Sequence, residues 1–400
     1  MPYDRSMSKA IQPSGKLVIS TQYFVYFGVM GIFLPYFNLY CYHLGFNGLQ
    51  IGALSALRSM AMIVFPLLWG VLADRYQKRR AIYIGCNLMS AIIWAFYLLS
   101  GDFWFMLTVT IFYGIFFAPI ISFLEAFSME VLGPEKNSYG KVRAWGSISF
   151  IVIVVGIGKL IDLYSIRIIL VLILAGSALM AAISVRVPEV RRHQGKSFRE
   201  QAVAFLNRRV MVFLICGFLM LVSHGAYYGF FSIHLEKLGY GSTFIGGCWA
   251  LGSIAEIGVM IASKRIFRRF SLVHVLFFSF VAAALRWLAL YQVQSALLII
   301  MTQVLHAFSY GTFHMASILY MDMLAPIENK TLGQAVNNAV SYGSGLMMGF
   351  LLSGYLYERM ETAGIFLISS LIAAAGGVLI KGFALKDDTA DQSPLRGERR

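Results

Sequence analysis

Five charged side chains, Arg58, Glu125, Arg143, Glu256 and Arg286, each interrupt a long apolar stretch. His224, His306 and His314 join them, with Asn87, Gln303, Asn337 and Asn338. In a hydrocarbon setting a charge persists by pairing with another, or by facing a water-filled path. Arginine presents a rigid fork of donors that fits a carboxylate or a pair of hydroxyls, and it does not deprotonate. A carboxylate or an imidazole can take up and release a proton. The chemistry within reach is recognition of a small anionic or hydroxylated molecule, together with proton transfer.

Two groupings carry most of that chemistry. Glu125 and Arg143 flank the short turn GPEKNSYGK, so antiparallel neighbouring helices would bring them together. Trp145 and Phe150 follow at spacings that allow one ring to face the same cavity, where an aromatic face beside an arginine suits a sugar or an aromatic acid. Glu256 lies mid-stretch with few acids near its depth, and Arg286 falls in the next apolar stretch. If protons are carried, Glu256 is the expected carrier and His306 the fallback, as a relay or as a hydrogen-bond donor to substrate. A permanent Glu256–Arg286 ion pair that takes up no proton is the competing expectation.

These residues need elements to hold them, and the composition says which. Of 400 residues, 58% are hydrophobic, 15% aromatic and only 13% charged, with a mean hydropathy of +0.71. A soluble domain carries about 25% charged residues, so most of this surface must meet lipid. Apolar stretches of helix-spanning length recur six times between residues 17 and 187 and six times between 209 and 385. Unpaired backbone is not tolerated in lipid, and a barrel would show short alternating segments instead. The fold class predicted is all-α and polytopic: twelve transmembrane helices in two six-helix bundles. The first stretch, from Leu17, is too long for a signal peptide.

The predicted organisation is a tail at 1–16, a bundle at 17–187, a basic linker at 188–208, a second bundle at 209–385 and a tail at 386–400. Lysines and arginines divide unevenly between the two sides. The side holding both termini has 27, the opposite side has four, and Arg58 and Arg286 are embedded. That asymmetry predicts cytoplasmic termini and accounts for most of the +14 net charge without nucleic acid. Gly158-Lys-Leu-Ile-Asp162 is echoed 196 residues later by Gly354-Tyr-Leu-Tyr-Glu358. Duplicated halves around a central cavity would produce such an echo. Cys41, Cys86, Cys216 and Cys248 lie in apolar runs without C-x-x-C spacing, and neither a metal nor another cofactor is indicated.

After the second stretch comes Gly70-Val-Leu-Ala-Asp74-Arg75-Tyr76-Gln77-Lys78-Arg79-Arg80. Gly70 would allow close helix approach, and Asp74 with Arg75 and Arg79 could latch helices at the membrane face and release them. This loop resembles the signature loop of the major facilitator superfamily. Leu124-Glu125-Ala126-Phe127, Tyr139–Gly146, His224–Phe230 and Phe267-Arg268-Arg269 resemble that superfamily's branch of lactose permease and the bacterial phenylpropionate transporters, over about residues 20–380.

The resemblance implies alternating access in a bacterial inner membrane, by a monomer that moves a small molecule with protons. It implies that Glu125 and Arg143 bind substrate and that Phe150 stands where the branch stacks a ring on it. By the same resemblance Glu256, Arg286 and His306 occupy the substrate and coupling positions of the second bundle, with His224 nearby. Two positions depart from lactose permease: Gln303 replaces a lysine and Ser309 a carboxylic acid, which argues against lactose itself. The expected function is proton symport of an aromatic carboxylate, with sugar or nucleoside symport and drug efflux as alternatives. An intramembrane enzyme would need a catalytic cluster, and no H-E-x-x-H or persuasive Ser–His pair is present. A sensor would be expected to carry a signalling domain, and no Walker A loop points to ATP.

Overall fold

The structure, a computed structural model, describes residues 13–188, 207–326 and 329–384. The expected tails and most of the linker at 188–208 lie outside the described residues.

Helices α1 (Pro13–His43), α2 (Gly48–Tyr76), α3 (Arg79–Ala95), α4 (Phe103–Leu132), α5 (Tyr139–Leu163) and α6 (Ile168–Ser184) form the first half. The second half opens with α7 (Arg208–Lys237), α8 (Ser242–Arg269) and α9 (Leu272–Gln292), followed by α10 (Ala296–Leu324). Polar residues set several starts: Asn47 begins α2 with a capping box, and Asp102 and Asn207 cap α4 and α7. Each satisfies amide donors that lipid could not.

Among the described residues, ten helical runs are long and apolar enough to cross a membrane, and Ile168–Ser184 is a shorter apolar one. One of the ten, Lys330–Gly382, is 53 residues long. Straight, it would reach about 80 Å, more than twice a hydrocarbon core. It breaks at Glu361, which adopts a left-handed φ of 59°. The packing partners show that the chain reverses there. Ser341, Gly349 and Tyr357 meet Gly217, Gly225 and Phe230 in ascending order along α7. Thr362 and Gly376 then meet His234 and Cys216 in descending order. The run is therefore two antiparallel spans, α11 (330–360) and α12 (362–384), and the described helices make twelve.

Within the first half α1 packs on α5 and α6, and α4 on α2 and α3; within the second, α7 packs on α11 and α12, and α9 on α12. The halves meet chiefly through α2 with α11 and α5 with α8, at the ends away from the termini. A Cβ on Gly48 or Gly52 would strike the Gly354 or Phe350 carbonyl at 2.6 Å, and one on Gly246 would strike the Val154 carbonyl at 2.5 Å. Tyr36 ties both halves there, donating to the carbonyls of Val154 (2.8 Å) and Ser242 (3.1 Å). On the basic side the ion pairs Lys16–Glu135, Arg79–Asp74, Arg79–Glu130 and Lys330–Asp322 each join residues of one half. The molecule is shut on one face and parted on the basic one. All four cysteines are buried and free.

Candidate functional site

Arg286, fully buried on α9, has each guanidinium nitrogen engaged. Nε donates to the Thr302 carbonyl (2.9 Å), Nη2 to Gln303 Oε1 (3.1 Å), and Nη1 lies 2.7 Å from His306 Nδ1. The rings of Tyr227 and Trp287 lie 4.2 and 4.5 Å from its Cζ. A guanidinium has only donors, so Nδ1 of His306 must accept. The ring's proton then sits on Nε2, which is 2.7 Å from Glu256 Oε1. A neutral imidazole thus bridges a fixed cation and a carboxylate on three helices. In the competing expectation of a permanent Glu256–Arg286 pair the two side chains would touch; here His306 stands between them, because α10 lies against both α8 and α9.

Gln303, read from the sequence as a polar residue in an apolar stretch and as a departure from lactose permease, ties the chain to α7 by accepting from Tyr227 Oη (3.1 Å) as well as from Arg286. His224 is buried beside it, with its ring edge-on to Trp287 at 4.9 Å and 5.5 Å from Tyr310. Its Nδ1 lies 2.8 Å from the Met220 carbonyl and so donates, which leaves Nε2 as a bare acceptor without a partner among the described residues. Below His306, the rings of Tyr310 and His314 continue a stack at 5.4 and 6.0 Å. The stack depends on a π turn at Ala307–Gly311, whose wider winding offsets the angular drift of residues four apart. His314 closes the row against Tyr342 Oη at 2.7 Å, from a second π turn, Asn338–Ser344, in α11. Tyr310 was not singled out from the sequence, although its place midway between His306 and His314 is a signal that could have found it. Such π turns concentrate at functional sites.

The first half offers a different surface. Arg143 makes no ion pair among the described residues; its Cζ lies 3.9 Å from the Phe27 ring centroid and 5.5 Å from that of Tyr23. Glu125 is exposed, and its expected contact with Arg143 is absent because α5 packs along α1 rather than against α4. Phe150 is buried on the same face of α5 as Arg143, against Gly31 of α1. Trp145 is not: it shares its stripe with the exposed Ile148, Val152 and Val155, roughly opposite Phe150 at 100° per residue. Arg58 lies deep in this half with its Cζ 4.0 Å from the Phe33 ring centroid.

At the basic face Asp74 binds the guanidinium of Arg79, which also reaches Glu130 Oε1 at 3.3 Å. Arg75 lies beside Tyr76, 5.9 Å from its ring centroid. A Cβ on Gly70 would meet nothing within 4 Å. The close approach expected at Gly70 is thus not made while this face is parted, although Gly70 falls on the stripe of α2 that meets α11 higher up.

Residues 17–368 match the MFS_1 like family. A probable 3-phenylpropionic acid transporter of Escherichia coli (strain K12) is 29% identical over 88% of this chain and 93% of its own length. A maltose permease of Geobacillus stearothermophilus is 24% identical, over 94% of this chain and 96% of its own. Among solved structures, nucleoside transporter NupG superposes with a TM-score of 0.83 at 18% identity, covering 92% of this chain and 98% of that one. That likeness is one of fold.

Proposed function

The chain belongs to the MFS_1 like family, and on that premise we propose that this secondary transporter is a proton symporter of a small aromatic carboxylate. The observation that carries the coupling is the Glu256–His306–Arg286 chain. Arg286 holds His306 neutral, so a proton arriving here is taken by the carboxylate, and the imidazole keeps that carboxylate seated in either protonation state. Alternation then decides when Glu256 meets water.

Substrate class is supported by Arg143. A cation on a membrane helix with no ion-pair partner among the described residues favours an anion, and the rings of Phe27 and Tyr23 beside it suit an aromatic body. The name borne by the Escherichia coli relative agrees with that class. Glu125, Phe150, His224 and His306 complete our proposed substrate set. Residues 17–187 and 209–385 are our two rocking bodies, Asp74 and Arg79 the gating pair, and a monomer in a bacterial inner membrane with cytoplasmic termini the working unit.

Uptake into proteoliposomes under an imposed proton gradient tests the reading, with aromatic acids, sugars and nucleosides screened in parallel. Gradient-dependent accumulation of an aromatic acid is the expected result. Accumulation of a neutral sugar or nucleoside in its place would overturn the substrate class, and uptake indifferent to the gradient would overturn the coupling.

A further inference from the structure

The echo between Gly158–Asp162 and Gly354–Glu358 has a geometric counterpart on the shut face. Helix α8 begins just after Gly241, which offers no side-chain cap. The missing acceptor comes from the other half: Asp162, ending α5, accepts from Ser242 N (2.7 Å), Thr243 N (2.8 Å) and Thr243 Oγ1 (2.6 Å). In α2 the capping box of Asn47 serves the Gln50 amide. The first helical amide, Gly48 N, donates instead to Glu358 Oε1 of α11 at 2.5 Å. Shifting six helices along the chain turns α2 into α8 and α5 into α11, so one arrangement is built twice. In each, a glycine one turn before the acid lets the helices touch: Gly158 at the Ser242 carbonyl, Gly354 at the Gly48 carbonyl.

We infer that Asp162 and Glu358 are a matched pair of releasable caps, positioning residues that hold the two halves shut on this face by completing the first turns of α8 and α2 across the interface. The inference rests on alternating access, and not on the substrate or its coupling. Opening this face must break both caps, since each acid and its amides belong to different halves. A carboxylate at a helix N-terminus is favoured by unpaired amides and by the helix dipole. Both acids are exposed, so water replaces those bonds at modest cost. A contact that breaks and re-forms in every cycle requires that property. Two such caps, acting together, bias the molecule toward the state parted on the basic face.

The test needs neither substrate nor gradient. In protein purified without its four native cysteines, Val154→Cys reports on the shut face, where Val154 is fully buried. Gly70→Cys reports on the parted face, where its side chain would meet open space. Asp162→Asn and Glu358→Gln should each raise maleimide labelling at position 154 about threefold, and about tenfold together, the scale of weakened helix caps. Labelling at position 70 should fall in step. Unchanged labelling at both positions in the double variant would overturn the inference. So would a rise at both, the mark of a loosened protein. If the double variant fails to reach the membrane, Thr243→Val removes one donor from the Asp162 cap and should move the two reporters in the same opposite directions.

Discussion

Replacing Glu256 by glutamine removes one negative charge from the carboxylate–imidazole–guanidinium chain and keeps its shape. His306 Nε2 would still find an oxygen where Oε1 now lies at 2.7 Å, and Arg286 would keep its bonds to Thr302, Gln303 and His306. What changes is the strength of one bond: a charge-assisted hydrogen bond becomes a neutral one, a loss of about 1 kcal/mol. Gradient-free exchange should then fall by no more than about fivefold to tenfold. Accumulation should respond differently. One proton moving with one monovalent anion carries no net charge, so a pH gradient alone drives it, and about 1.5 pH units supports a ratio of about thirty. Glu256→Gln should reduce that ratio to about one while exchange continues. Glu256→Ala, which strands a buried imidazole N–H at a cost of about 1–3 kcal/mol, should impair both. Radiolabelled substrate in proteoliposomes measures the two rates side by side. Wild-type accumulation in Glu256→Gln at every pH tested would refute the reasoning and move coupling to another group.

Arg143→Lys keeps the charge but loses the flat contact with Phe27 and the donor fork, so transport should fall about tenfold to a hundredfold with normal membrane insertion; wild-type affinity in that variant would remove Arg143 from the site. Asp74→Asn weakens the hold on Arg79 and should lower turnover while equilibrium binding of substrate stays within about threefold; a loss confined to binding would argue against gating. Trp145→Leu, on the outward stripe of α5, should change transport by less than about twofold, and a severe loss would put its ring in the pathway. Cysteines at positions 79 and 102 should label from opposite sides of the membrane, position 79 from the cytoplasm; labelling of both from one side would break the proposed topology.

Legibility followed the range of the physics. Arg58, Glu125, Arg143, Glu256 and Arg286 stood out because lipid penalises charge wherever a helix carries it, and no knowledge of neighbours is needed to see that. The helices were legible for the same reason, since a lipid-embedded backbone must pair within its own segment. The break at Glu361 falls between the last two of the apolar stretches read in the second half, each long enough to span by itself. Basic residues in the loops likewise marked two unlike sides before any packing was known.

Side-chain partners were another matter. Glu125 and Arg143 are close along the chain, yet α5 lies along α1, and Arg143 meets Phe27 instead. Glu256 and Arg286 belong to successive spans, yet α10 brings His306 between them. Trp145 and Arg143 are two residues apart and point to different surroundings, which the helical phase alone could not assign without knowing which face is covered. The acids at 162 and 358 were visible as a repeat; their role needed the tertiary structure, because each caps a helix of the other half. Hydropathy and charge act through the surrounding medium and are written locally in the chain. Contacts between helices depend on crossing, rotation and register among segments far apart in sequence, and those are settled only when the whole bundle packs.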